Sequence, residues 1–418
     1  MPPPTPPPRD RLSPIVVRLG WVSFFTDAAS EMLYPLIPLF LTVTLGAPVA
    51  AVGVVEGLAD GVATGLKAVS GVVADRVRRH RLMTALGYGL SALAKPLLAL
   101  APNWGVVAGL RTTDRVGKGI RGVPRDVMIA EASDPATRGR AFGLHRAMDT
   151  AGATVGPLLA VGALLWFGED NLRPIFLLAL VPGLASLWLL RSLPKEVDDV
   201  DPHAAPWEPG RLPWRGRFGS YCVVLVVFGL GNSSDAFLLL RAKDLGLSAI
   251  EVILAFALSN LVYAAASLPV GIRGDRTHTS KLTLFGVGLV IFVVVYLGFA
   301  LATSAALVWP LFAVYGAYHA FTDGIGRAVV VDLVPANVRG KALGVTQALT
   351  GAAVLVAGIG AGVLWDAVSP AAPFFVGAAL AATAAAILAV GAYRAAGTRV
   401  TRRATSSIEN SVQGRDAS

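Results

Sequence analysis

Cysteine is nearly absent. The 418 residues contain one, Cys222, so neither an internal disulfide nor a cysteine metal cluster is open to the chain. Charge is scarce too: 15% of residues are Asp, Glu, Lys or Arg against 54% hydrophobic. With a mean hydropathy of +0.63, that balance excludes an ordinary soluble domain of this length. Apolar–polar alternation is missing from runs such as 223–228 and 381–390, which excludes a transmembrane β-barrel. No phosphate loop is present either. Gly117-Lys118-Gly119 has no glycine five residues earlier and no Ser or Thr after the lysine, so ATP coupling has no support. The net charge of +9 comes without a basic face interleaved with aromatics, and nucleic acid is not an expected partner. MPPPTPPPRDRLSP at the start lacks the charged-then-apolar layout of a signal peptide, and residues 1–13 read as a disordered stub.

What the chain has in abundance is long apolar runs. Twelve can be drawn, near 14–44, 49–74, 82–101, 104–130, 140–167, 172–190, 217–242, 249–272, 282–302, 306–332, 341–366 and 371–393. Most reach the roughly 20 residues that cross a hydrocarbon core of about 30 Å. The expectation is an all-α membrane protein of 12 transmembrane helices, with the lipid bilayer as its surroundings. Lys and Arg concentrate in the even-numbered loops and at both ends, for example Arg76, Arg78, Arg79 and Arg81, or Arg399, Arg402 and Arg403. By the positive-inside rule a multi-pass protein of the cell membrane is expected, with N and C termini cytoplasmic.

The chain also repeats itself. Gly71-Val-Val-Ala-Asp75-Arg76 returns two hundred residues later as Gly271-Ile-Arg-Gly-Asp275-Arg276, each copy ending an apolar run and opening a basic loop. A linker rich in Pro, Trp and charge at about 192–216 divides the chain into pseudo-symmetric six-helix bundles, 14–191 and 217–395. A polar tail occupies 396–418.

With these features the sequence resembles the major facilitator superfamily, and three motifs carry the resemblance. GVVADRVRRHR from Gly71 to Arg81 is similar to the family's loop signature after helix 2, although Arg78 stands where a glycine is usual. The resemblance implies a cytoplasmic gate at Asp75 and Arg76, repeated at Asp275 and Arg276. Arg115-Val-Gly-Lys-Gly119 looks like the family's helix 4 motif. Gly143, Gly152, Gly156 and Pro157 reproduce the spacing of the antiporter motif of proton-coupled drug exporters, where small residues allow close helix packing.

The ionisable residues inside the runs carry the functional expectation. Arg111, Asp114, Arg115, Lys118, Arg121, Arg125 and Asp126 share one arc of a helix. Each unpaired charge near the bilayer centre costs at least about 2.5 kcal/mol, so the arc must face the interior or a wet cavity. Arg111, Arg115 and Lys118 are candidates for the substrate cavity, joined from the second half by Asn232 and Asp235. Asp27, Glu31, Glu56 and Asp60 are candidates for proton coupling, since a desolvated carboxyl beside another can load and release a proton. The same four acids also serve to neutralise the basic arc, and both roles can coexist. His145 and Asp149 have the spacing seen in some acyltransferases, but no acyl-donor site accompanies them, and a simple pairing one turn apart is expected.

The reading is therefore a monomeric secondary transporter exchanging a small-molecule substrate for protons by alternating access, in the direction of export. No cofactor, metal or catalytic residue is assigned. A symporter or uniporter for a small organic anion, drawn by the arginines, stays open beside it, and an integral-membrane acyltransferase stands further off.

Overall fold

The structure, a computed structural model, describes residues 12–77, 79–133, 138–193, 211–275, 278–335 and 338–391. Within these, residues 67–77, 138–140, 268, 272, 274–275 and 278–280 are described by their backbone alone. The N-terminal stub, most of the linker and the C-terminal tail lie outside this range.

Among the described residues every regular element is helical. In chain order they are α1 (Pro14–Leu33), α2 (Leu36–Leu39), α3 (Val49–Val77), α4 (His80–Leu97), α5 (Trp104–Glu131), α6 (Arg138–Phe167), α7 (Arg173–Leu178) and α8 (Leu180–Arg191). The second half contributes α9 (Arg217–Gly231), α10 (Ala236–Asp244), α11 (Ala249–Asp275), α12 (His278–Leu301), α13 (Val308–Asp332), α14 (Arg339–Ala367) and α15 (Ala372–Gly391). With α1–α2, α7–α8 and α9–α10 each forming one broken segment, the described residues make twelve segments. Nine are long and apolar enough to cross a bilayer on composition alone. The segments of α1, α5 and α13 fall outside that set, and each carries polar or ionisable side chains within its span.

Local chemistry sets the ends. Ser13 accepts from the Ile15 amide at 3.3 Å and Pro14 takes the first helical position of α1, where its missing N–H costs nothing. Asn103 caps α5 through the Val106 amide at 3.1 Å. The first run, continuous in sequence, breaks at Tyr34 and Pro35, because a proline within a helix removes a hydrogen bond and clashes with the preceding turn. A π-helical turn, Phe40–Thr44, finishes the segment. The second half breaks at the corresponding place, Asn232 to Asp235, between α9 and α10. The two breaks meet: Tyr34 and Ser234 share a hydrogen bond of 3.4 Å, and these residues stand at the offset of two hundred that separates Gly71 from Gly271.

Two helix pairs join the halves. α3 packs along α14, and α6 packs against α11. The α3–α14 seam is a run of small residues, Gly53 and Gly57 opposite Gly358 and Leu355, close enough that a Cβ at Gly358 would stand 3.0 Å from the Gly53 carbonyl oxygen. Without a hydrophobic drive between helices in lipid, such backbone approach is what supplies contact. Gly152 and Gly156 of the expected antiporter motif face α1 of their own half, where a Cβ at Gly156 would lie 2.7 Å from the Ala28 carbonyl. Gly143 faces open space, and Pro157 lies inside an unbroken α6.

Candidate functional site

The charged arc of α5 divides into a closed part and an open part. In the closed part Arg111 donates to Glu56 of α3 in a fork, Nε to Oε1 at 3.0 Å and Nη2 to Oε2 at 3.0 Å. Its other edge approaches Asp114 at 3.7 Å. Asp114 in turn accepts from Lys95 of α4 at 2.7 Å and from Ser91. Glu56 is 0% exposed, Arg111 3%, Asp114 4% and Lys95 4%. Two acids and two bases thus neutralise one another inside the first half and lock α3, α4 and α5 together. Neither Glu56 nor Arg111 lines the central cavity, for Tyr34 stands before them with its ring centroid 5.3 Å from the Arg111 guanidinium.

The open part faces a cavity of about 340 Å³ between the halves. The first half contributes Glu31, Tyr34, Asp60, Arg115, Arg146 and Asp149, and the second Asp235, Phe256, Asn260, Tyr263, His319 and Asp323. Arg115 is held only loosely, 3.9 Å from Asp60, with its Nε buried and without a hydrogen-bond partner. Arg146 and Asp323, with side chains 67% and 45% exposed, mark the mouth, at the end of the bundle that carries the basic loops.

One feature of the wall was not expected. Asp149 of α6 accepts from Ser23 of α1 at 2.8 Å and approaches Arg146 at 3.5 Å. One turn beyond Ser23, the Asp27 carboxyl lies close enough to the Asp149 carboxyl for the two to interact directly. Lys118 lies within electrostatic reach of Asp27, Glu31 and Asp149 without lining the cavity. Asp149 therefore turns to α1. His145, its expected partner one turn away, is buried with its Nε2 unpartnered.

The second half presents an aromatic wall. Tyr315 donates to Asp235 at 2.6 Å, Asn232 donates to Tyr318 at 3.3 Å, and Tyr34 packs on Phe256 with centroids 5.5 Å apart. His319 stacks edge-on to Tyr315 at 4.7 Å and reaches Asp323 at 3.6 Å. Of the residues expected in the site, Glu31, Asp60, Arg115 and Asp235 line it, Asn232 and Asp27 stand behind it, and Glu56 and Arg111 are sealed away. The expected gate lies at the limit of description: the backbones of Asp75, Arg76 and Asp275 close α3 and α11, and their side chains, with all of Arg276, lie outside the described residues. Tyr34, Arg146, Asp149, Tyr263, His319 and Asp323 were not assigned from sequence. Of these, His319 and Asp323 carried a legible signal, an ionisable pair four residues apart inside an apolar run.

The opposite end is shut. Leu36, Ile37, Leu39 and Phe40 from the first half form one buried cluster with Ala236, Leu240 and Ile253 from the second. Two carboxylates then cross between halves in a pseudo-symmetric pair. Asp366, near the end of α14, accepts from the Val49 and Ala50 amides opening α3, at 3.2 and 2.7 Å. Glu169, just past α6, accepts from the Ala249 amide opening α11 at 2.7 Å. Each places a negative charge on the positive end of a helix from the other half. Hydrogen bonds to charged groups contribute about 1.5–3 kcal/mol each, so Asp366→Asn with Glu169→Gln should open this end at least about tenfold more often. The readout is the alkylation rate of a Leu240→Cys probe by a membrane-impermeant maleimide in a Cys222→Ala background. An unchanged rate would show that the apolar cluster alone holds the closure.

Comparison with known proteins bears on this geometry. The sequence profile of the Major Facilitator Superfamily matches residues 19–240 and, overlapping, 220–414. An uncharacterised MFS-type transporter of Methanocaldococcus jannaschii is 33% identical over 376 residues, covering 88% of this chain and 93% of that protein. The multidrug resistance protein MdtH of Proteus mirabilis is 30% identical over 166 residues, covering 38% of this chain and 40% of its own. A point mutant of the nucleoside transporter NupG superposes with a TM-score of 0.74 at 14% identity, covering 90% of this chain and 99% of that one. That last likeness speaks for the fold alone.

Proposed function

The chain belongs to the Major Facilitator Superfamily, and from that premise we propose that it exchanges protons for a small organic cation or zwitterion with an aromatic or apolar body, exporting it. The observation that carries this is the carboxyl pair of Asp27 and Asp149 beside the cavity. Two carboxyl groups this close are most easily accommodated while one of them holds a proton. When the proton leaves, two negative charges face each other, and an arriving cation relieves the repulsion. Substrate and proton then compete for one place, which is the condition for exchange.

The balance of charge supports the substrate class. Five carboxylates line the cavity, Glu31, Asp60, Asp149, Asp235 and Asp323, against Arg115, Arg146 and the imidazole of His319. Arg111, which would have drawn an anion, is occupied by Glu56. Tyr34, Phe256 and Tyr263 offer faces to a cationic or aromatic group. Export also agrees with the partial similarity to MdtH, whose name assigns it multidrug resistance.

In this reading the basic end and both termini are cytoplasmic, the protein is a monomer in the cell membrane, and the bundles 14–191 and 217–395 rock about the cavity. With that orientation the mouth marked by Arg146 and Asp323 faces the cytoplasm. Asp75 and Asp275, with their arginines, latch that side when the transporter turns outward. Proteoliposomes with an acidic lumen test the direction: ethidium should accumulate inside while a trapped pH dye reports protons leaving. Protons entering together with substrate, or a preference for organic anions over cations in the same vesicles, would overturn the proposal.

A further inference from the structure

The second half contains a hollow separate from the central cavity. At the basic end α9, the start of α12, the end of α13 and the end of α15 surround a space of about 630 Å³. Val224, Leu282, Leu333, Ile387 and Leu388 make its walls apolar. The Tyr221 hydroxyl is already engaged, donating to the Gly326 carbonyl at 3.3 Å. Arg217 stands on the lining where α9 begins. Arg211, Arg215 and Arg217 are all exposed, and among the described residues none has a hydrogen bond or ion pair. Beside them Trp214, 51% exposed, packs on Phe218 with centroids 5.6 Å apart, the position an aromatic takes at a membrane interface.

The first half treats the corresponding place differently. There, between the first and last helices of that bundle, Val16, Leu19, Leu190 and Leu193 join one buried cluster. Two of its arginines are engaged as well, Arg18 on the Ser192 carbonyl at 2.9 Å and Arg81 on the Arg191 carbonyl at 3.4 Å. A duplicated fold has thus kept a filled site in one copy and a hollow rimmed by exposed arginines in the other.

We infer that this hollow binds an anionic phospholipid, with an acyl chain between α9 and α15 and the phosphate at Arg217, drawn in by Arg211 and Arg215. Charge complementarity commits the site to this occupant: arginines without a partner among the described residues, at the level of the headgroups, attract anionic lipid, and an apolar slot next to them takes its chain. The protein's own tail is a poor competitor. Residues 392–418 carry five arginines against two acids, Glu409 and Asp416, and no apolar run, so on balance they would set cation against cation and leave the hollow unfilled.

Thermal unfolding of the full chain in dodecyl maltoside tests this, with mixed micelles of phosphatidylglycerol, mixed micelles of phosphatidylcholine, or inorganic phosphate alone. Phosphatidylglycerol should raise Tm by several degrees and saturably, as a ligand of the folded state does, and the other two should not. Arg215→Gln with Arg217→Gln should weaken the apparent affinity roughly tenfold or more. Ala386→Trp, which fills the hollow, should remove the saturable shift. An equal shift with phosphatidylcholine, a shift with phosphate alone, or unchanged affinity in the double variant overturns the inference. Should the variants fail to fold, native mass spectrometry of the wild-type protein decides: selective retention of phosphatidylglycerol over phosphatidylcholine supports the site, and equal retention sinks it.

Discussion

Asp149→Asn is expected to abolish proton-driven accumulation, by about a hundredfold or more, while substrate still exchanges passively across the vesicle wall. The amide keeps the shape of the carboxyl and can still bond to Ser23 and Asp27, so the helices should stay in place. What it cannot do is lose a proton. With the exchangeable site removed, no difference in substrate affinity between protonated and deprotonated states remains, and a gradient without such a difference moves nothing. The sign of the pH effect follows from the same competition. In the wild-type protein a cation binds more weakly as pH falls, because protonation of the pair removes the negative charge that attracts it, with a limit of about tenfold per pH unit for one competing proton. Asp149→Asn should flatten that slope, and Asp27→Asn should do the same from the other side of the pair. Binding titrations at several pH values, together with counterflow and gradient-driven uptake, check both. If the slope survives in both variants, Glu31 or Asp60, also on the cavity wall, carries the proton instead.

Arg111→Ala should have the largest effect on stability. Arg111 is 3% exposed and its partner Glu56 0%, so truncation leaves a carboxylate without its fork, and breaking a buried pair from one side costs about 3–5 kcal/mol. The loss spreads to Asp114, which would keep its bridge to Lys95 but lose the second cation beside it. Removing both charges together is a different matter. Glu56→Leu with Arg111→Met replaces the pair by apolar groups of similar bulk, and a large part of the lost melting temperature should return. Melting curves of the two single variants and the double variant, in one detergent, give the coupling directly. If the double variant is as unstable as the sum of the singles, the two side chains act independently and the closed network is not what holds α3, α4 and α5 as one body.

The two predictions concern residues that look alike in sequence. Glu56 and Asp60 lie one turn apart on α3, and Arg111 and Arg115 one turn apart on α5. From spacing alone all four belong to one charged interior, and the sequence places them in the transport site together. The structure seals the first of each pair behind Tyr34 and opens the second of each to the cavity. A turn is about 5.4 Å of axial rise, and over that distance the neighbouring helix changes from a partner in the same half to open space between the halves. Periodicity reports which face a residue occupies and not what stands opposite at each level. Asp149 was out of reach for a related reason. Its partner Asp27 is 122 positions away, and only the close approach of α6 to α1, at Gly152 and Gly156, brings the carboxyls together.

By itself the sequence determined that this chain is a duplicated bundle of membrane helices with its ionisable side chains turned inward. Apolar length, the placement of basic loops and the repeat at an offset of two hundred are properties of residue order, and the cost of charge in hydrocarbon leaves no other face for them. Only the tertiary structure decided which of those charges cancel one another and which remain to meet a substrate. Cancellation depends on distances of about 3 Å between side chains on different helices, and helix packing sets those distances, turn by turn, through the small residues at each seam.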